Sequence, residues 1–179
     1  LNGRVIGAGG VSITPGAAFG SGWHPTTELC IRALEMYLQP GDSVLDLGTG
    51  SGILAVAAAK LDAGCVYAVD IDQHAAAIAR KNAALNNLNT RMEYICGPWQ
   101  AAAGSPKFDV IAANLLTPIL IEVLREGLGS ILSEQGWIIA SGLKVDELEK
   151  VEAALLENGL LPVKRGWKSG WAAVIARLR

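Results

Sequence analysis

Short apolar runs alternate with helix-like stretches along most of this chain, and that alternation constrains the fold more than any single motif. Val44–Leu47, Val66–Val69, Met92–Cys96, Val110–Ala113 and Trp137–Ala140 are largely apolar and read as strands. Between and after them, Gly52–Leu61, His74–Leu85, Ile119–Leu132 and Val145–Glu157 are alanine-rich or carry apolar residues at helical spacing. Strands that are apolar on both faces belong in a parallel sheet covered on both sides. Leu161–Gly166 and Trp171–Leu178 flank the turn Lys168-Ser169-Gly170 and read as a closing strand pair. The predicted fold class is therefore α/β: a doubly wound, mostly parallel seven-stranded sheet with an antiparallel C-terminal strand. A further helix precedes the sheet. Pro25 suits its first turn, Thr26 and Thr27 suit its cap, and Pro40-Gly41 stops it. Residues 1–22 are glycine-rich and read as irregular or a short strand ending in a loop.

Length and charge narrow the function. At 179 residues the chain is expected to form a single domain, 1–179. Fifteen Lys and Arg against 17 Asp and Glu leave a formal charge of -2, which disfavours broad phosphate contact with nucleic acid. No apolar run approaches the roughly 18 residues of a transmembrane helix, so no membrane association is expected. The expectation is a cytoplasmic protein, or a piece of a longer one, since it opens at Leu1 without Met. Cys30, Cys65 and Cys96 form no C-x-x-C pair, and His24 and His74 are too few and scattered for ligation, so no metal is expected. All three cysteines read as small buried residues.

In a doubly wound sheet the ligand sits beyond the carboxyl ends of the strands, where strand order reverses. Chemistry is therefore expected just after Leu47, Val69, Cys96 and Ala113. After Leu47 the chain reads Gly48-Thr49-Gly50-Ser51-Gly52, a G-x-G-x-G spacing that is neither G-x-G-x-x-G nor a P-loop. After Val69 comes Asp70, close to the separation of about 20 residues at which such sites carry a ribose-binding acid. The alternative for Asp70 is a cap for the helix near His74, a role Asp72 suits better. After Ala113 comes Asn114, a polar side chain ending an apolar strand, with a helix cap as its alternative.

The loop and its acid resemble the class I S-adenosylmethionine-dependent methyltransferases. Two more stretches, Pro15-Gly16-Ala17-Ala18-Phe19-Gly20-Ser21-Gly22-Trp23-His24-Pro25-Thr26-Thr27 and Ala112-Ala113-Asn114-Leu115-Leu116, narrow the resemblance to the PrmA family, the methyltransferases of large-subunit ribosomal protein eleven. The resemblance implies a Rossmann-like class I methyltransferase fold and S-adenosyl-L-methionine as cofactor. It implies Phe19, Thr27, Gly48, Gly50, Gly52, Asp70 and Asn114 at that cofactor. Asn114 would also orient the amine, and His24 would shape the loop or relay a proton. The implied partner is a protein substrate, ribosomal protein eleven, methylated on lysine or amino groups; the oligomeric state is open. Phe19 as a core aromatic and Thr27 as a helix cap are the structural alternatives.

The sequence departs from the family pattern in places. Ala17, Ser21, Trp23 and Thr117 replace commoner residues, and Gly97-Pro98-Trp99 offers no carboxylate for the adenine amine. Backbone groups, or Trp99 as a packing surface, would have to serve. Only about 15 residues precede the matching loop, so the family's N-terminal substrate-recognition domain is expected to be absent. The rival readings are a methyltransferase of another protein or small molecule, and an NAD-dependent oxidoreductase on a similar fold. A nucleic-acid amino-methyltransferase is disfavoured, because Leu115 and Leu116 stand where prolines and a stacking aromatic would follow. A cofactor-holding partner without catalysis is the remaining alternative.

Overall fold

The structure is a computed structural model that describes residues 4–6, 9–13, 24–88, 91–104 and 107–179. Seven strands form the main sheet: β3 (Ser43–Leu47), β4 (Cys65–Asp70), β5 (Met92–Cys96), β6 (Phe108–Asn114), β7 (Leu132–Lys144), β8 (Leu160–Lys168) and β9 (Trp171–Leu178). Their spatial order is β5-β4-β3-β6-β7-β9-β8, and all pairings are parallel except the two made by β9. The expected doubly wound sheet with an antiparallel C-terminal strand is what forms. Two short strands, β1 (Arg4–Ile6) and β2 (Gly9–Val11), pair antiparallel ahead of it.

The central strands β3 and β6 are buried on both faces because they send apolar side chains to either side, while the edge strands β5 and β8 are partly exposed. Val44, Val66, Val110 and Ile139 face α1 (Pro25–Tyr37), α2 (Ile53–Lys60) and α3 (Gln73–Leu85). Leu45, Val69, Ile111 and Ile138 face α4 (Thr117–Arg125) and α5 (Leu148–Glu157). Residues 53–59 of α2 are all buried, and the four alanines among them let this helix sit close between sheet and neighbours. Each fully buried Ile or Leu, such as Ile31 or Leu120, contributes about 1.5–3 kcal/mol of transfer free energy.

Four expectations need correction. The helix expected over 119–132 ends at Arg125; the chain turns at Gly127, makes a 3-10 turn at Leu128–Ile131 and enters β7 at Leu132. Leu124, Leu128 and Leu132 are all fully buried, so one apolar stripe served three elements. β7 itself runs from Leu132 to Lys144, far beyond Trp137–Ala140, because the polar stretch Ser133-Glu134-Gln135 masks its start. The cap of α1 is neither Thr26 nor Thr27, which lie inside the helix. It is His24, whose Nδ1 accepts from the Thr26 N–H (3.4 Å) and sits 2.7 Å from Thr26 Oγ1. Finally, Cys96 is exposed and Cys65 half-buried. Only Cys30 is in the core, where burial first and the charge of Asp46 second push its thiol to about 12.

The amino ends of the central strands are tied by polar groups. Asp109 Oδ2 accepts from the Ser43 N–H (2.9 Å) and Oγ (2.8 Å), and Asp109 Oδ1 accepts from Ser133 Oγ (3.0 Å). One carboxylate thus links β3, β6 and β7 at the end of the sheet remote from the glycine loop.

Candidate active site

Strand order reverses between β3 and β6, and a cleft of about 620 Å³ opens beyond their carboxyl ends. Its walls come from all four positions marked in the sequence: Leu47 to Gly50, Asp70 and Ile71, Gly97 to Trp99, and Asn114 to Leu116. His24 and Thr26 of the α1 start, Gly142 of β7 and Trp171 of β9 close the end nearest β9.

Asp70 organises the glycine loop. Its Oδ2 accepts from the Gly50 N–H (2.9 Å) and its Oδ1 from the Asp72 N–H (3.0 Å), which leaves further lone pairs toward the cleft. Capping of α3 falls to Asp72, whose Oδ1 accepts from the His74 N–H (2.8 Å). Asp70 is thereby released from capping and lines the cleft. Beneath the loop, Asp46 Oδ2 accepts from Thr49 Oγ1 (2.7 Å) and the Ala55 N–H (3.0 Å).

Burial raises the Asp46 carboxyl to about 6, against the hydrogen bonds from Thr49 and Ala55, and the charge of Asp70 adds to the rise. The folded state therefore holds a proton that the unfolded chain releases near pH 4, and stability falls as pH rises from about 4 to about 6. Above that window the effect is constant. Asp46→Asn keeps an acceptor for Thr49 and Ala55 and removes the titration. Wild-type stability relative to this variant is expected to fall between pH 4 and 6 in urea denaturation. A difference that stays flat or grows across that range would contradict the assignment.

Asn114 is held by its neighbour. Leu115 donates its N–H to the Ser141 carbonyl (3.0 Å) and lies between two glycines. A Cβ on Gly48 would stand 2.5 Å from Leu115 Cδ2, and a Cβ on Gly142 2.2 Å from the Leu115 carbonyl oxygen. Both glycines also have positive φ, +71° and +90°. The close fit presses the Asn114–Leu115 segment between the glycine loop and β7. Among the described residues, Asn114 Oδ1 is buried there without a hydrogen-bond partner, and so is Thr27 Oγ1 within α1. Buried acceptors without partners are rare in native folds, and Asn114, unlike Thr27, lines the cleft, where a ligand donor could meet it.

The remaining expected site residues fall as follows. Gly48, Gly50, Asp70, Asn114 and His24 line the cleft. Thr27 is fully buried behind the wall formed by Thr26. Gly52 is not part of the wall; a Cβ there would meet Cα and Cβ of Ala79 at 2.8 Å, so it fits α2 against α3. Phe19, with the loop from Pro15 to Trp23, lies outside the described residues. Asn114 does not cap α4, whose N-cap is Leu116. Trp99 is more buried than a half-exposed aromatic, and its Nε1 donates to Glu126 Oε2 (2.9 Å). Gly142, Trp171 and Glu126 went unread in the sequence. Gly142 lies beyond the expected strand Trp137–Ala140, and only the longer observed β7 makes it a strand glycine of the kind that marks a close backbone approach.

The family model described as ribosomal protein L11 methyltransferase (PrmA) matches residues 8–179. The chain belongs to the PrmA family. A PrmA relative from Caldicellulosiruptor saccharolyticus, named ribosomal protein L11 methyltransferase, is 41% identical over 93% of this chain and 54% of its own length. One of the same name from Listeria monocytogenes is 39% identical over 93% of this chain and 53% of its own. The chain thus spans about half the length of the curated PrmA relatives it matches. The crystal structure of a ribosomal protein L11 methylase from Lactobacillus delbrueckii subsp. bulgaricus superposes with a TM-score of 0.85 at 36% identity, covering 94% of this chain and 85% of that one. The PrmA fold therefore brings the glycine loop, Asp70 and Asn114 to one cleft.

Proposed function

We propose that residues 1–179 form one catalytic unit of an S-adenosyl-L-methionine-dependent protein N-methyltransferase. Its substrate is ribosomal protein L11, methylated on lysine or amino groups in the cytoplasm. One observation carries the reading: the glycine loop, the Asp70 carboxylate and Asn114 Oδ1, which has no partner among the described residues, meet in a single cleft at the switch point. The names of the relatives point to the same substrate. Among the described residues, no helix is long and apolar enough to cross a membrane.

The residues present fit the cofactor. Gly48 and Gly50 line the cleft, Asp70 retains lone pairs for ribose hydroxyls, and Asn114 Oδ1 has no partner among the described residues and can take a donor. When bound, S-adenosylmethionine supplies an electrophilic methyl group on a sulfonium. The chain must present a neutral amine to it. A lysine amine has a pKa near 10.4, so deprotonation at pH 7 costs roughly 5 kcal/mol. Leu115, Leu116 and Trp171 give the cleft apolar walls, and desolvation there lowers the amine's pKa. Asn114 Oδ1 accepts one amine N–H and aims the lone pair, and alignment of this kind is worth up to about 7–11 kcal/mol of barrier. His24 Nδ1 is occupied by Thr26, and its ring packs edge-on against Trp171 at 4.8 Å between centroids. Its part is to hold the wall rather than to relay a proton.

The test is incubation with methyl-labelled S-adenosylmethionine and purified ribosomal protein L11, with calorimetric titration of S-adenosylhomocysteine alongside. Label on ribosomal protein L11 is the expected result. Failure to bind S-adenosylhomocysteine would remove the cofactor assignment. Binding without transfer of label would remove the substrate assignment alone.

A further inference from the structure

At the end of the cleft nearest β5, Ile71, Pro98, Trp99, Ile119 and Val123 form an apolar slot. Ile71 is 81% exposed and Ile119 44%, large aliphatic groups left uncovered at the rim of a cavity. Such a slot suits a flat ring. The segment that closes β5, Gly97-Pro98-Trp99, brings no side-chain carboxylate to it. The fold brings one from elsewhere: Glu126, the C-cap of α4, lines the same cleft.

Glu126 is held in a defined orientation. Trp99 is 6% exposed, and its only donor, Nε1, gives its hydrogen to Glu126 Oε2 at 2.9 Å. Gln100 Nε2 donates to the same oxygen at 2.9 Å. Both local donors are spent on Oε2, and Oε1 has no hydrogen-bond partner among the described residues. An ionised carboxylate only accepts, so a ligand group beside Oε1 must donate. Glu122, one turn earlier on the same wall, has no such tether among the described residues and would have to give up rotamer freedom to bind. A carboxylate oriented before the ligand arrives avoids that loss.

We propose that Glu126 Oε1 accepts an N–H from the exocyclic amine of the cofactor's purine, and so selects a 6-aminopurine over a 6-oxopurine. This rests on the reading of the cleft as an S-adenosylmethionine site. The carboxylate that the β5 loop lacks is supplied by α4 and aimed by that loop through Trp99 and Gln100.

The chemistry of Glu126→Gln makes the test direct. Its amide oxygen is needed to accept from Trp99 and Gln100, which turns the NH2 toward the ligand. The variant then donates where the wild type accepts. Calorimetry with S-adenosylhomocysteine and its 6-oxo analogue, S-inosylhomocysteine, is expected to show a wild-type preference for the amine of about 10- to 30-fold. In Glu126→Gln that preference should fall to within about threefold or invert. Equal binding of the two ligands by the wild type overturns the proposal without any variant. A Glu126→Gln protein that keeps the full preference overturns it as well. If the wild type binds neither ligand, the cofactor reading falls and this inference with it, an outcome distinct from the other two.

Discussion

Gly142→Ala is expected to cost about 3–5 kcal/mol of stability and to empty the cleft of ligand affinity. Two effects add. The residue sits at φ +90°, where a side chain costs about 1–2 kcal/mol. Its Cβ would also stand 2.2 Å from the oxygen and 2.7 Å from the carbonyl carbon of Leu115, backbone that no rotamer change can move aside. Relief requires β7 and the Asn114–Leu115 segment to part, which breaks the Leu115 N–H bond to Ser141 and displaces Asn114. Gly170→Ala is the natural control. It has a similar φ, +81°, but none of the described residues lies within 4 Å of the added carbon. Urea midpoints for the two variants separate backbone strain from collision. If Gly142→Ala is no less stable than Gly170→Ala, the wedge described for Leu115 is wrong.

Asp70→Asn is expected to lower stability by about 1–3 kcal/mol and to weaken S-adenosylhomocysteine binding about 100-fold, a loss of roughly 2.7 kcal/mol. Both carboxylate oxygens accept backbone N–H groups, from Gly50 and from Asp72. An amide can satisfy only one of these and sets its NH2 against the other, at a cost of about 1–3 kcal/mol. Either orientation loosens the glycine loop or withdraws an acceptor from the ribose hydroxyls. Calorimetry on the purified variant gives the number directly. Affinity within threefold of wild type would show that Asp70 neither shapes the loop nor touches the ligand.

The features legible in the sequence share one property: they are changes of residue type along an apolar run. Leu47 gives way to Gly48, Val69 to Asp70 and Ala113 to Asn114, and each marks a strand end at the cleft. What stayed hidden depends on partners distant in sequence. Glu126 reads as a solvated helical acid until α4 is seen against Trp99. Gly142 falls outside the expected strand Trp137–Ala140, and its close fit shows only once Leu115 is beside it. Helix ends near Arg125 were lost because Leu124, Leu128 and Leu132 keep helical spacing across a helix, a turn and a strand. His24 displaced the threonines as cap because an imidazole nitrogen accepts the same N–H that a hydroxyl would.

The pairing of β3 with β6 has a consequence for how the molecule comes together. Gly48, Gly50 and Asp70 lie before this junction in the chain, and Asn114, Glu126 and Trp171 lie after it. Ser43 and Asp109, which fasten its far end, are 66 positions apart, so bringing the two strands together closes a loop at an entropic cost of roughly 4 kcal/mol. The β3-α2-β4 and β4-α3-β5 units can form earlier from near neighbours. A nascent or partly unfolded chain thus carries two half-sites and no cleft. Competence for ligand arrives in one step, with the slowest and least local contact of the sheet.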